Sequence, residues 1–254
     1  MKIRKLILFS VIVSSLIFQS CEEVQNLLKP LSEDEVIEGL KEALKIGTDS
    51  TVKKVSKVDG YFKDAVIKIL LPEEADIINE FRKTAIGEQM IGKMIDDLVL
   101  NINRTAEEAA KEVTPIFVNA ITGMTINDGF AILKGENNAA TTYLENNTRS
   151  GLMELYQPKI QNLLDKELVA GVSTNQAWNT LTSTWNNFVG SIAGQLAGYS
   201  NNDKINTNLD TYLTGKALDG VFIKLADEEE KIRTDPVAQV TDLLKRVFGE
   251  NSGN

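Results

Sequence analysis

The sequence predicts an all-α fold: a single multi-helix domain of about nine to eleven helices, placed after an N-terminal lipoprotein signal. Three observations lead there. Apolar residues recur at three- and four-residue steps, as in Ile91, Met94, Ile95, Leu98 and Ile102, while period-two alternation is scarce. Helix-start chemistry precedes several of these runs, at Ser32 to Glu35, at Thr125 to Asp128 and at Asp235-Pro236. No long Gly/Ser linker, low-complexity tract or repeat divides residues 32–249.

The chain opens with Lys2, Arg4 and Lys5, then runs uncharged from Leu6 to Phe18. That run is shorter than the ~20 apolar residues a bilayer-spanning helix needs. It fits the charged start and short apolar core of a secretory signal over residues 1–20. Phe18-Gln19-Ser20-Cys21 then resembles a bacterial lipobox, which implies acylation of Cys21 and a tether over 21–31. Cys21 is the one cysteine of the chain. A lipid there would hold the domain at a membrane, each buried CH₂ adding ~0.8 kcal/mol.

Ser32 is a good N-cap, with Glu35 at the capping-box position, and Val36, Leu40, Ala43 and Leu44 follow at helical spacing. Gly47 is expected to end this helix, with a second one over 48–58. Asp59-Gly60-Tyr61 reads as a turn, and 65–71 as an apolar run, helix or strand, stopped by Pro72. Residues 75–85 read as a helix. The pattern starting at Glu88 continues into the Ala- and Glu-rich stretch 106–113, where helix propensity is high, and Pro115 breaks or kinks it. Thr125 opens a short helix that Gly135 closes. Helices are expected over 139–147 and 151–168. Within 172–199, Trp178, Leu181, Trp185 and Phe188 step by three, four and three. A polar loop over 200–203, a helix over 209–226, a last helix from Pro236 and a disordered tail over 250–254 complete the chain.

Charge and composition narrow the function. The whole chain carries 27 basic and 36 acidic residues, net −9; without residues 1–20 it has 24 against 36, net −12. Such a domain is a poor partner for nucleic acid or for anionic lipid headgroups. With no histidine and its single cysteine assigned to a lipid, it lacks the His and Cys ligands from which zinc, copper, haem and iron–sulfur sites are built. Disulfides, thiol nucleophiles and His-based triads are excluded on the same count. No metal and no cofactor are expected.

Several segments together resemble a bacterial family known as a domain of unknown function, DUF4197. They are Asp59-Gly60-Tyr61-Phe62, Ile67 to Pro72, Asn103 to Ala110, Pro115-Ile116-Phe117, Met124 to Gly129 and Ile132 to Gly135. Further on come Ala139 to Tyr143, Lys216 to Phe222, Glu228 to Arg233, Asp235-Pro236 and Leu243 to Gly249. The resemblance spans about 36–249 and implies an envelope location. It brings no activity, cofactor or catalytic residue. Gly129 stands where the family more often has alanine.

Three groups of residues are candidates for a site. Arg104 can pair with Glu107 or Glu108 three and four residues on, and could meet Asp128 at the start of a later helix. Such a network would orient helices or hold an acidic ligand group. Glu228-Glu229-Glu230 with Arg233 reads as a solvated charged face, and Asp235 as a cap. The stripe of Trp178 and Trp185 reads as core, with a pocket for an apolar or sugar ligand as the alternative. The expected function is that of a lipid-anchored envelope protein, a non-catalytic helical module binding an apolar small ligand or another envelope protein. The alternative is a periplasmic hydrolase or lyase working with carboxylates and Arg104, which requires Arg104, Asp128 and a glutamate to converge in a cleft.

Overall fold

In a computed structural model, residues 32–168, 171–206 and 208–249 are described; the signal expected at 1–20, the tether expected at 21–31 with Cys21, and the tail expected at 250–254 lie outside them. The chain is 76% helical in one compact domain, with ten helices and no strand among the described residues. They are α1 (Glu33–Val55), α2 (Asp76–Arg82), α3 (Lys93–Ala109), α4 (Thr114–Thr122), α5 (Ile126–Leu133), α6 (Ala139–Leu164), α7 (Thr174–Gly190), α8 (Ile192–Leu196), α9 (Leu209–Thr234) and α10 (Asp242–Phe248).

α9 lies at the centre, packed between α1 and α6; α3 crosses α6 and carries α7, while α4, α5 and α10 cover α1. Leu213, Leu218, Val221 and Leu225 of α9, Leu40 of α1 and Leu144, Leu152 and Ile160 of α6 fill the shared core. Close approach is set by small residues. A Cβ on Gly39 of α1 would lie 2.5 Å from Val247 Cγ2 of α10, and one on Gly220 of α9 would lie 2.4 Å from the Tyr61 ring. Gly129 is filled from outside in the same way: Ile37 Cδ1 sits 1.8 Å from where its Cβ would be. An alanine there requires Ile37 to turn away.

The two capping boxes expected from sequence form. Ser32 and Glu35 open α1, and Thr125 and Asp128 open α5, each side chain bonding the other's backbone N–H. Other boundaries differ, for physical reasons. Gly47 does not end α1; the helix runs to Val55, and Gly47 is buried within it, facing Leu225 and Glu228 of α9 at ordinary contact distance. The segments 139–147 and 151–168 are one helix, α6, with Pro158 inside it. α9 extends to Thr234, held by the buried Glu229 and Arg233. Pro115 falls in the first turn of α4, after a 3₁₀ turn over Ala110–Glu112, where its missing N–H leaves no gap. α3 is entered through a helical turn at Ala85–Gly87 and a π-helical turn at Glu88–Gly92. The last helix starts at Asp242, capped by Thr241, not at Pro236; Asp235 instead accepts from the Val237 N–H, 2.9 Å, in a turn after α9.

Candidate functional site

The apolar run 65–71 is neither helix nor regular strand. It passes over α3 as a turn at 65–67 followed by an irregular stretch at 68–72, and one face of α3 supplies the partners its backbone needs. Asn103, fully buried, accepts from the Ile69 N–H (2.9 Å) and donates to the Ile69 carbonyl (2.8 Å) and to Val99 O (2.7 Å). One turn further on, Glu107 Oε1 accepts from the Tyr61 and Phe62 N–H groups at 3.1 and 3.2 Å. Arg104 lies between them and grips both neighbours, Glu107 Oε2 and Asp59 Oδ1, each at 2.6 Å. Its guanidinium is 5.8 Å from the centre of the Phe62 ring, which Lys68 also covers at 4.3 Å.

The turn entering this segment is a tight one. Asp59 has φ 68°, and a Cβ on Gly60 would lie 2.4 Å from the Val55 carbonyl oxygen, so glycine alone fits there. The Lys63 ammonium, then Arg104, hold the Asp59 carboxyl below its ordinary range. Burial opposes the Arg104 charge, but the bonds to Asp59 and Glu107 outweigh it and raise its pKa. Tyr61 turns inward: its ring is fully buried, its hydroxyl donates to the Ala217 carbonyl at 2.6 Å, and burial pushes its pKa well up.

Alternate residues from 66 to 71 are exposed and buried. Ile67, Ile69 and Leu71 enter the core, while Val66 and Leu70 remain 68% and 59% exposed. Tyr212 of α9 fastens the outer end, donating to the Leu70 carbonyl at 3.0 Å. Val66, Leu70, Tyr212 and Ile223 thus line a groove of about 310 Å³, flanked by Lys68, Lys216 and Asp219. On the other side of the Asp59 turn is a charged cleft of about 360 Å³ between α1 and α9. Its lysines are mostly engaged: Lys54 and Lys231 with Glu228, Lys63 with Asp59 (2.7 Å), and Lys224 with Asp64 (2.8 Å). Burial opposes ionisation of Glu228, yet the bonds from Lys54, Lys231 and Ser50 bring its pKa down to about 2.

The sequence candidates separate into distinct places. Arg104 and Glu107 come together, joined by Asp59, which sequence spacing did not single out. Glu108 faces outward and pairs with Lys111 at 2.5 Å. Asp128 does not join Arg104; it belongs to the α5 cap and accepts from the Tyr143 hydroxyl at 3.1 Å. Arg104, Asp128 and a glutamate therefore do not converge, and the Asp59 and Asp128 carboxyls are both lowered by their hydrogen bonds. Trp178 and Trp185 are buried in the core. Trp185 packs against Phe81 and Phe188 at tilted angles and edge-on against Tyr199, and its Nε1–H donates to the Asp203 carbonyl at 2.7 Å. Asn186 beside it accepts from and donates to Ile205, pinning the loop before α9 as Asn103 pins Ile69.

The acidic triplet is the largest departure from expectation. Glu229 is only 7% exposed and Arg233 8%. Glu229 accepts from the Ala140 and Thr141 N–H groups (2.9 and 2.7 Å) and from the Thr141 hydroxyl. It thereby caps α6, whose own Asn138 makes no side-chain cap. Arg233 bonds Glu229 and donates to the Ile132 carbonyl at 2.9 Å, at the end of α5. A carboxylate thus meets a helix N-terminus and a guanidinium a helix C-terminus, the favourable sense at both.

Residues 30–249 match the family described as a protein of unknown function, DUF4197. The chain belongs to this family. No curated protein and no solved structure matches it. Within this DUF4197 domain no group of three or more His, Cys, Asp or Glu side chains is placed to hold a metal ion among the described residues, and no single helix there is long and apolar enough to cross a membrane. In the DUF4197 domain the Arg104 cluster holds the segment 59–71 in a set conformation: each of its charges is occupied by a group of the protein itself.

Proposed function

We propose that the protein is a lipid-anchored module of the cell envelope, tethered through Cys21, and that it binds another envelope protein without catalysing a reaction. The observation that carries this reading is the clamped segment. Arg104, Asn103 and Glu107 spend buried polar groups on holding an irregular stretch whose outward residues, Val66 and Leu70, are apolar. Buried polar clusters rigidify what they hold, and contiguous exposed apolar side chains mark binding surfaces. Val66, Leu70, Tyr212 and Ile223 form a groove sized for one or two apolar side chains of a partner. Lys68 and Lys216 at its edge favour a partner with an acidic residue next to them. The Asp59 and Glu228 carboxyls stay ionised through neutral pH, which suits binding and supplies no acid–base pair.

The test is site-specific photo-crosslinking in the native host, with the reactive side chain at Leu70 of the full chain. A single defined adduct is expected, lost on Val66→Glu and on Ile223→Glu, with folding unchanged. No adduct at Leu70, or one indifferent to both changes, overturns the reading. Mass spectrometry of the mature N-terminus tests the anchor: acyl chains on Cys21 are expected, and an unmodified thiol or an unprocessed signal refutes it.

A further inference from the structure

We infer that the cavity between α3 and α7 binds a small neutral amphipathic molecule, with an apolar body among Met94, Val172 and Ala177 and a hydroxyl or amide N–H donated to Asn101 Oδ1. This goes beyond the partner groove and does not depend on it. The cavity has a volume of about 280 Å³, just under the ~300 Å³ at which sites for drug-sized ligands begin. Asn101 lines it and is 2% exposed. Its Nδ2 donates to the Asp97 carbonyl at 3.0 Å, whereas its Oδ1 has no hydrogen-bond partner. Buried acceptors are almost always met, so an orphaned one beside an apolar cavity points to a donor from outside the chain.

The neighbouring polar groups are already engaged. Lys93 and Asp97, at the cavity wall, pair with each other at 2.5 Å. The Thr180 hydroxyl donates to the Gln176 carbonyl at 2.7 Å. No free charge is therefore offered to a ligand ion, and the fitting ligand is neutral. The floor is rigid: Thr105 of α3 donates to the Asn101 carbonyl at 3.0 Å and meets Thr174 of α7 at 2.9 Å, locking the two helices together beneath the cavity.

The probes are 1-hexanol and 1-methoxyhexane, alike in chain and unlike in having a donor. They are titrated into the full chain carrying ¹³C-methyl methionine, with the Met94 signal assigned by its loss in Met94→Leu. The alcohol is expected to shift the Met94 methyl saturably and to bind at least ten-fold tighter than the ether, about 1.4 kcal/mol. Asn101→Leu should erase that preference, and Ala177→Leu should fill the cavity and weaken both probes. Equal binding of alcohol and ether to the unaltered chain, no saturable shift at Met94, or a preference that survives Asn101→Leu would each overturn the assignment.

Discussion

Replacing Asn103 by leucine tests whether α3 holds the segment 59–71. The side chain is of similar size but has no polar atoms. Its loss leaves the Ile69 N–H and C=O without the partners they have at 2.9 and 2.8 Å. Val99 keeps its helical bond and loses only a second one. Ile69 is buried, so each orphaned group costs ~1–3 kcal/mol, or about 2–6 kcal/mol together. The segment can escape by lifting into water, but it then exposes Ile67 and Ile69, at ~1.5–3 kcal/mol each. Both routes cost a similar amount, so the protein cannot avoid it by relaxing. Urea unfolding followed by far-UV circular dichroism should register the loss. If the segment lifts locally, amide exchange at Ile69 should quicken by about 30-fold for a ~2 kcal/mol cost. Glu108→Gln, at an exposed pair, should shift stability by no more than ~0.5 kcal/mol and serves as control. A loss under ~1 kcal/mol in Asn103→Leu, with Ile69 exchange unchanged, would refute the view that Asn103 anchors this segment.

Glu229→Gln should destabilise the fold by about 3–5 kcal/mol, because it leaves the buried Arg233 without its countercharge. Combining it with Arg233→Met should cost less than the two single changes added, as measured by a double-mutant cycle in urea. Glu35 and Glu228 both have pKa values lowered to about 2 in the fold. Their stabilising effect is complete above the unfolded carboxyl value of ~4.3 and is lost as pH falls toward 2. Thermal melts should therefore drop across that window, and Glu228→Gln should flatten the drop. Gly220→Ala should lower stability by ~1–3 kcal/mol by pushing against the Tyr61 ring, readable as a fall in Tm, while Gly215→Ala on the same helix, with open space around it, should not.

Much of the helical architecture is legible along the chain because a helix is local. Its periodic apolar face and its capping boxes are written within a few residues, so Ser32-to-Glu35 and Thr125-to-Asp128 could be read directly. Trp178, Leu181 and Trp185 were likewise readable as core from their spacing. The pairing of Arg104 with Glu107 is an i, i+3 contact and belongs to the same class. Asp59 could not be found that way. It is 45 residues from Arg104, and only the crossing of the 59–71 segment over α3 brings them within 2.6 Å.

Local chemistry alone therefore establishes the all-α class, the capping boxes of α1 and α5 and the absence of histidine chemistry, since each depends on residue type and short spacing. Burial depends on what packs opposite. Glu228, Glu229 and Glu230 are chemically alike in sequence, yet Glu229 is the one turned onto the α6 N-terminus. Gly47 has the composition of a helix stop and serves instead as a contact point for α9. The same holds for the groove at Leu70 and the cavity at Asn101: both arise where two distant elements leave space between them, and that space is a property of their packing.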